Sequence, residues 1–101
     1  MEKVFKALAD PTRRRILQLL RTRAMSAGEI ADRFTLAKAT LSGHFAILRA
    51  ADLIDAERRG STIIYRLNLS VLQEALLEFA EAFGIGRDGS RIRRRSGEAA
   101  G

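Results

Sequence analysis

Residues 26–51 read SAGEIADRFTLAKATLSGHFAILRAA and carry two helical patterns in quick succession. Ser26 and Glu29 have the spacing of a capping box, in which each residue satisfies a free amide at the start of a helix. Residues 35–37 interrupt the apolar periodicity, and a second helix is predicted over about Lys38 to Ala51. Two short helices joined by a tight turn form a helix-turn-helix.

Two more helices are predicted before this unit. The stretch from Glu2 to Leu8 places its apolar residues on one helical stripe. Asp10 followed by Pro11 is a strong start signal, because aspartate accepts a hydrogen bond from a free amide and proline has no amide to leave unpaired. The helix that follows is predicted to extend to about Arg21.

A β-hairpin and a last helix are predicted after the unit. Beyond Asp52 the apolar period changes from helical to alternating, and the Arg-Gly-Ser break at 59–61 separates this strand from the run TIIYRL at 62–67. Ser70 is predicted to cap a final helix with a broad apolar stripe, which ends at Gly84.

Composition limits the class of protein. The chain has 101 residues, one proline and no cysteine, which favours one mainly α domain and excludes disulfide frameworks and thiolate metal sites. We expect this domain to cover residues 1–84, and residues 85–101 to form a basic, disordered tail. No apolar run approaches the roughly 20 residues that span a bilayer, so we expect a cytoplasmic protein that contacts no membrane.

The net charge of +6 supports a polyanionic partner only weakly. Five arginines against Asp88 and Glu98 give the tail +3, which leaves +3 for residues 1–84. The RIRRR segment of the tail either adds non-specific affinity for phosphates or only keeps the chain soluble.

Catalysis and metal binding find no support in the sequence. Ser42 and His44 are two residues apart on one predicted helix and do not face each other, so they form no nucleophile–base pair. One histidine without cysteine makes no convincing transition-metal site. Three carboxylates on the last helix, Glu74, Glu78 and Glu81, are interpreted as a solvated polar stripe. We predict no catalytic residue, no metal ligand, no cofactor and no enzymatic activity.

The second helix of the unit has two contrasting faces at about 100° per residue. Its core face consists of Ala37, Leu41, Phe45 and Leu48. The opposite face carries neither charge nor bulk and consists of Ala39, Ser42, Gly43, Ala46 and Ala50. Such a face suits close approach to a DNA major groove, where Lys38 and Thr40 would meet bases and phosphates. It fits a face that packs on a partner helix, or an ordinary solvent-exposed surface, as well. His44, at the edge of the core face, is interpreted as a hydrogen-bonded structural residue that could also touch a phosphate.

The hairpin tip carries Arg58, Arg59 and Ser61, which supply two guanidinium groups and a hydroxyl. Beside a helix-turn-helix, these groups suit a wing that binds phosphates or enters a minor groove. Taken alone, they fit an exposed turn with incidental arginines equally well.

Four segments together resemble the ArsR-type winged-helix repressors, namely ALADPTRRRILQLL, MSAGEIADRF, LAKATLSGHFAILRAADLI and ERRGSTIIYRLN. The resemblance covers about residues 2–83 and is greatest to the metal-independent, SdpR-like autorepressor branch. It implies a homodimer built from the first and last helices, a recognition helix in each major groove, wings at the flanks, and repression by blocking a promoter.

The resemblance also assigns residues of this chain to the two interfaces. Contacts to DNA would fall to Lys38, Ala39, Thr40, Ser42, Gly43, His44, Arg58, Arg59 and Ser61. The dimer interface would consist of Val4, Phe5, Leu8, Leu72, Leu76, Phe79 and Phe83. Large apolar stripes on both terminal helices of so small a chain support the dimer interface independently.

This chain departs from the family pattern in three ways. It lacks the cysteines and the His/Asp clusters that the metal sensors of the family use. Ala37 stands where a serine N-cap is frequent, which removes a helix cap. Gly43 stands where a larger polar side chain is frequent, so close approach or shape readout would replace one base contact.

We therefore expect a mainly α, dimeric winged helix-turn-helix with about five helices and a two-stranded β-hairpin wing. Its expected function is repression from a pseudo-palindromic operator in double-stranded DNA. Two alternatives stay open. One is a regulator of the same fold that responds to a metal ion or small molecule at the dimer interface, with Glu74, Glu78 or Glu81 as candidate ligands. The other is a protein-interaction module whose small-residue helix face docks a partner helix.

Overall fold

The computed structural model describes residues 1–86, and the predicted tail lies, from Arg87 onward, outside the described residues. Within residues 1–86 the elements are α1 (Glu2–Leu8), α2 (Pro11–Leu20), β1 (Met25–Ser26), α3 (Ala27–Ala31), α4 (Lys38–Ala50), β2 (Ile54–Arg59), β3 (Thr62–Leu67) and α5 (Leu69–Ala82). The strands form an antiparallel sheet in the order β1-β3-β2. The predicted winged helix-turn-helix is confirmed. None of these helices is long and apolar enough to cross a lipid bilayer.

α2 and α3 begin where side chains satisfy their free amides. The Arg13 amide donates to Asp10 Oδ2 at 3.0 Å, and Pro11 takes the first helical position of α2. At α3 the Glu29 amide donates to Ser26 Oγ at 3.0 Å, and the Ser26 amide donates to Glu29 Oε1 at 2.9 Å. Both predicted helix starts are confirmed. The reciprocal cap matters most at α3, because a five-residue helix is not stable by itself.

The core takes at least one buried apolar side chain from each of these helices and strands. Ile30 of α3 and Leu48 of α4 are both completely buried. Removing such a side chain from water stabilises the fold by roughly 1.5–3 kcal/mol. Buried side chains therefore hold both helices of the helix-turn-helix against the core. Their burial determines which face of α4 points outward.

α4 ends in a hydrogen-bonded reversal that joins it to the sheet. Asp52 adopts a left-handed conformation at φ 59°, and the amides of Asp52 and Leu53 donate to Arg49 O at 2.9 Å and Leu48 O at 3.0 Å. Asn68, at the end of β3, donates from Nδ2 to Asp52 O at 3.0 Å and from its amide to Leu53 O at 2.9 Å. These bonds hold the base of the hairpin to the end of α4.

β2 and β3 form the predicted hairpin, and Gly60 at its two-residue tip takes a left-handed φ of 62°. β1 adds a third strand to the predicted two, because Met25 and Ser26 pair with Tyr65 and Ile64. Two residues are too few to show a strand period. Since Ser26 also caps α3, the sequence signals only the helix at this point.

Two details differ from the sequence-based expectations. Asn68, not Ser70, is the N-cap of α5, and Ser70 lies in the first turn with Oγ 3.4 Å from Asn68 Oδ1. The bonds of Asn68 to residues 52 and 53 fix where α5 can begin. Ala37 is the exposed N-cap of α4 rather than part of its core face. Because the backbone of Ala37 is extended, with ψ at 147°, the direction of its side chain does not follow the helical period of α4.

Replacing Ser26 with alanine is expected to lower the free energy of unfolding by about 1 kcal/mol, because the Glu29 amide loses its acceptor. Urea unfolding followed by circular dichroism measures this loss. The matched change Ser70→Ala removes a serine that caps no amide and should cost less than about 0.5 kcal/mol. Equal losses from the two changes would contradict the assignment of the cap.

Candidate nucleic-acid interface

α4 turns an uncharged face of small residues outward. The predicted outer face, consisting of Ala39, Ser42, Gly43, Ala46 and Ala50, is exposed throughout. No acidic residue occurs along the 13 residues of the helix, so no side chain on it repels a phosphate. A Cβ atom placed on Gly43 would meet nothing within 4 Å, which marks open surface at mid-helix. Such a helix fits the width of a B-DNA major groove.

The opposite face of α4 is held by the core. Leu41, Phe45 and Leu48 are buried, and the Phe45 ring stacks on Tyr65 of β3 with centroids 4.4 Å apart and planes at 25°. Because α4 packs on a strand of the hairpin itself, the two elements present their outer surfaces in one fixed arrangement.

The start of α4 is open to an anion. Lys38, Ala39 and Thr40 form its first turn, and all three are exposed. Ala37 supplies no side-chain acceptor, so no side-chain cap occupies the free amides of that turn. Free amides at the positive end of a helix attract phosphate, and Lys38 adds a full positive charge. The absence of a serine cap therefore leaves this helix end available to an anion.

A groove of about 250 Å³ separates α3 from this part of α4. Its lining consists of Ala27, Gly28, Ala31, Lys38, Leu41, Ser42 and Phe45. α3 contributes only small residues to the groove, so another molecule can come close to its backbone. The contacts predicted from the sequence do not include these α3 residues. Their small size could have indicated them, just as small residues indicated the outer face of α4.

The two wing arginines lie on opposite faces of the hairpin, because side chains alternate along a strand. Arg58 shares a face with Ala56, whose partner across the ladder is Tyr65. Since Tyr65 stacks on α4, Arg58 extends from the side of the hairpin that faces α4. Within residues 1–86, the side chain of Arg58 makes no hydrogen bond or ion pair.

Arg59 lies on the other face of the wing, where a carboxylate engages it. Its Nε donates to Glu57 Oε1 at 3.1 Å and its Nη2 to Glu57 Oε2 at 3.4 Å. These hydrogen bonds, helped by the charges of Arg59 and Arg66, lower the pKa of Glu57. Ser61 is exposed at the tip. The two arginines, which the sequence does not distinguish, therefore differ in the face of the hairpin on which they lie and in their ion-pair partners.

His44 differs from the other predicted contacts. Its side chain is only 15% exposed, and its Nδ1 lies 3.2 Å from Arg13 Nη1 and 3.8 Å from Asp10 Oδ2. The hydrogen bond from the Arg13 amide is the main cause that lowers the pKa of Asp10, and the charges of His44 and Arg13 add to it. His44 is thus hydrogen-bonded to α2 and not to Ser42. The predicted contacts omit Arg13, whose only sequence signal is its place three residues after the Asp10 cap.

The residues predicted for the dimer interface lie on adjoining surfaces of α1 and α5, with one exception. The half-buried members are Phe5, Leu8 and Leu72, and the exposed members are Leu76, Phe79 and Phe83. The Phe5 and Phe79 rings meet edge to face at 5.2 Å, and Phe79 and Phe83 lie 4.9 Å apart. Val4 is the exception, because it is 5% exposed and belongs to the core of the single chain. Its side chain offers no surface to a second copy.

The carboxylates of α5 are not gathered into a metal site. Within residues 1–86, no group of three or more His, Cys, Asp or Glu side chains is placed to hold a metal ion. Glu74 and Glu78 line an open groove of about 350 Å³ between α1, the end of α4 and α5, together with Asp52 and Lys3. Glu81 does not line that groove.

Similarity to known proteins gives this arrangement a family. Residues 8–57 match the protein family described as a helix-turn-helix domain. The chain is 47% identical over 76 residues to the transcriptional repressor SdpR of Bacillus subtilis, which covers 75% of this chain and 84% of SdpR. It also resembles the crystal structure of an ArsR family transcriptional regulator with a TM-score of 0.76 and 25% identity, over 82% of this chain and 91% of that one. This chain belongs to the ArsR family.

Proteins similar to this chain include an activator as well as a repressor. The transcriptional activator HlyU of Vibrio cholerae is 33% identical over 75 residues, which covers 74% of this chain and 68% of HlyU. The predicted ArsR-type DNA-binding regulator is therefore confirmed.

Proposed function

We propose that this ArsR-family protein acts as a homodimeric repressor on a pseudo-palindromic operator. Each α4 would lie in a major groove, and each wing would contact the backbone beside it. The observation that carries the proposal is the exposed, uncharged face of α4, held by Phe45 and Tyr65 next to a wing with Arg58 on the same side. The similarity to the repressor SdpR favours repression, by occlusion of a promoter.

The proposed DNA contacts divide into two groups. Lys38, the free amides of the first turn of α4 and the wing arginines would bind phosphates and set the position of the protein on the duplex. The small residues of α4 would read bases by close approach. The proposed set is Lys38, Ala39, Thr40, Ser42, Gly43, His44, Arg58, Arg59 and Ser61, with Ala27 and Gly28 of α3 beside the backbone.

The proposed homodimer is supported by the uncovered apolar stripe of α5. Leu76 is 49% exposed and Phe83 is 69% exposed, on the same side of the helix as Phe79. Monomeric proteins rarely leave a contiguous apolar patch of this kind in water. A twofold-symmetric contact between two copies would bury both patches and would place two α4 helices on one DNA duplex.

Selection of duplexes from a random pool with the full-length protein tests the proposal. We expect enrichment of an inverted repeat whose half-sites lie about 10–10.5 base pairs apart, because the two recognition helices of a dimer reach successive turns of one DNA face. Enrichment of a single half-site without symmetry would contradict the dimeric arrangement. A failure to enrich any sequence would contradict the recognition role of α4.

Replacing Arg58 with alanine is expected to weaken binding to all duplexes by a similar factor. Each phosphate neutralised by a side chain contributes about −0.9 to the slope of log K against log salt, so a dimer that loses two contacts should lose about 2 from the slope. Fluorescence anisotropy on the selected duplex, measured over a salt series, gives this slope.

The matched variant for that experiment is Arg59→Ala. Arg59 must first release Glu57, so its removal should change the slope less than the removal of Arg58. An exposed pair of this kind contributes little, because solvent screens it, so we expect the two variants to differ only in degree. A larger effect at Arg59 than at Arg58 would show that the opposite face of the wing meets the DNA.

A regulator of the same fold that responds to an effector is the second candidate. The open groove that includes Glu74 and Glu78 adjoins α1 and α5, where a bound ion or small molecule would affect the proposed dimer contact. Titration of divalent metal ions during the anisotropy measurement separates the candidates. Binding that does not depend on the metal supports the constitutive repressor, and a metal-dependent change that Glu74→Gln abolishes supports the second candidate.

A further inference from the structure

The guanidinium of Arg13 joins three elements of the fold. Its Nε donates to Ala7 O at 2.8 Å and its Nη2 to Lys6 O at 3.0 Å, at the carboxyl end of α1. Its Nη1 lies 3.2 Å from Nδ1 of His44 on α4. A single side chain of α2 therefore connects a helix of the proposed dimer interface to the recognition helix.

This contact decides which nitrogen of His44 carries the proton. A guanidinium only donates hydrogen bonds, so Nδ1 must accept the one from Arg13. The neutral imidazole then carries its proton on Nε2. The Asp10 carboxylate lies 3.8 Å from Nδ1, too far for a hydrogen bond, and accepts from the Arg13 amide instead.

The other ring nitrogen of His44 reaches the surface. Within residues 1–86, Nε2 has no hydrogen-bond partner, and no buried side-chain nitrogen or oxygen is without one. It follows that Nε2 is accessible to solvent. His44 lies in the middle of α4, between the exposed Gly43 and the buried Phe45.

We infer that Arg13 is a positioning residue that fixes His44 as the Nε2–H tautomer, so that this solvent-accessible N–H donates to an acceptor on the DNA. The inference rests on the proposed binding of α4 in the major groove. The acceptor is a phosphate oxygen or an acceptor atom on a base edge, both of which take a hydrogen bond from a neutral imidazole.

Arg14 provides a matched comparison. It has the same charge, it follows Arg13 directly, and its Nη1 donates to Leu8 O at 2.7 Å, also at the carboxyl end of α1. It does not contact His44. Removal of Arg14 therefore reproduces the loss of charge and of an α1 contact without disturbing the ring.

Nitrogen NMR of the full-length, ¹⁵N-labelled protein tests the tautomer directly, because the chain has one histidine. At about pH 8 we expect Nδ1 to resonate as the unprotonated nitrogen and Nε2 as the protonated one. In Arg13→Met, Nδ1 is left facing the Asp10 carboxylate, and the proton should move to Nδ1. Arg14→Met should retain the wild-type spectrum. A protonated Nδ1 in the wild type would overturn the inference whether or not the variants fold.

Binding to the selected duplex tests the consequence. We expect Arg13→Met and His44→Ala each to weaken binding by about tenfold or more, and the double variant to lose no more than His44→Ala alone. Multiplied losses in the double variant would overturn the positioning role while the proposed function stands. Failure of the wild type to bind any duplex would contradict the proposed function, and with it the donor role of His44, irrespective of the spectra.

Discussion

Replacing Gly43 with glutamate is expected to stabilise the free protein and to weaken its binding to the operator by at least about 100-fold. Glycine inside a helix costs about 1 kcal/mol relative to alanine, and glutamate is nearly as good a helix former as alanine. A Cβ atom at position 43 meets no atom within 4 Å in the free protein, so the substitution causes no clash at that point. On DNA the same side chain would bring a negative charge and three carbon atoms into the groove, once in each protomer.

Thermal unfolding and fluorescence anisotropy measure the two effects separately. Gly43→Ala should give the same gain in stability with a smaller loss of affinity, because it adds one methyl group without charge. Gln18→Glu adds a negative charge on the exposed side of α2, outside the proposed interface, and should change affinity only slightly. If Gly43→Glu bound the operator as the wild type does, α4 would not be the recognition helix.

Replacing Leu76 with glutamate is expected to dissociate the dimer and to weaken operator binding with it. Leu76 is already 49% exposed in the protomer, so the change should have little effect on the fold of one chain. In the proposed interface the carboxylate would be buried among apolar side chains without a partner, which costs several kcal/mol. We expect the dissociation constant of the dimer to rise by at least about 100-fold.

Light scattering across a range of concentrations measures that dissociation. Leu77→Glu is the matched control, since Leu77 is more exposed, at 63%, and lies about 100° around α5 from Leu76, away from Phe79 and Phe83. Leu77→Glu should remain a dimer and bind the operator. Identical behaviour of the two variants would place the contact between chains somewhere other than the proposed α5 stripe.

The helix-turn-helix could be predicted because its signals are local. The Ser26–Glu29 capping box lies within four residues, and the contrast between the two faces of α4 is a period that one helix carries. Neither feature depends on contacts with residues elsewhere in the chain, so both can be recognised from the local sequence. The confirmed fold and the exposed face of α4 follow from them directly.

The features that could not be predicted depend on contacts distant in sequence or on strand register. Arg13 and His44 are 31 residues apart, and no local pattern brings them together. The difference between Arg58 and Arg59 follows from the pairing of Ala56 with Tyr65. Val4 lies on an apolar stripe of α1, but a stripe does not show which of its members the chain's own core will bury.

The measurement that tests the central claim most directly is fluorescence anisotropy of the full-length protein on the selected duplex and on a shuffled duplex, over a salt series. We expect the selected duplex to bind about 1,000-fold more tightly or better, with log K falling by about 0.9 per log unit of salt for each neutralised phosphate. Equal affinities, or no binding to either duplex, would contradict recognition of DNA by α4 and would favour a face that docks a partner helix.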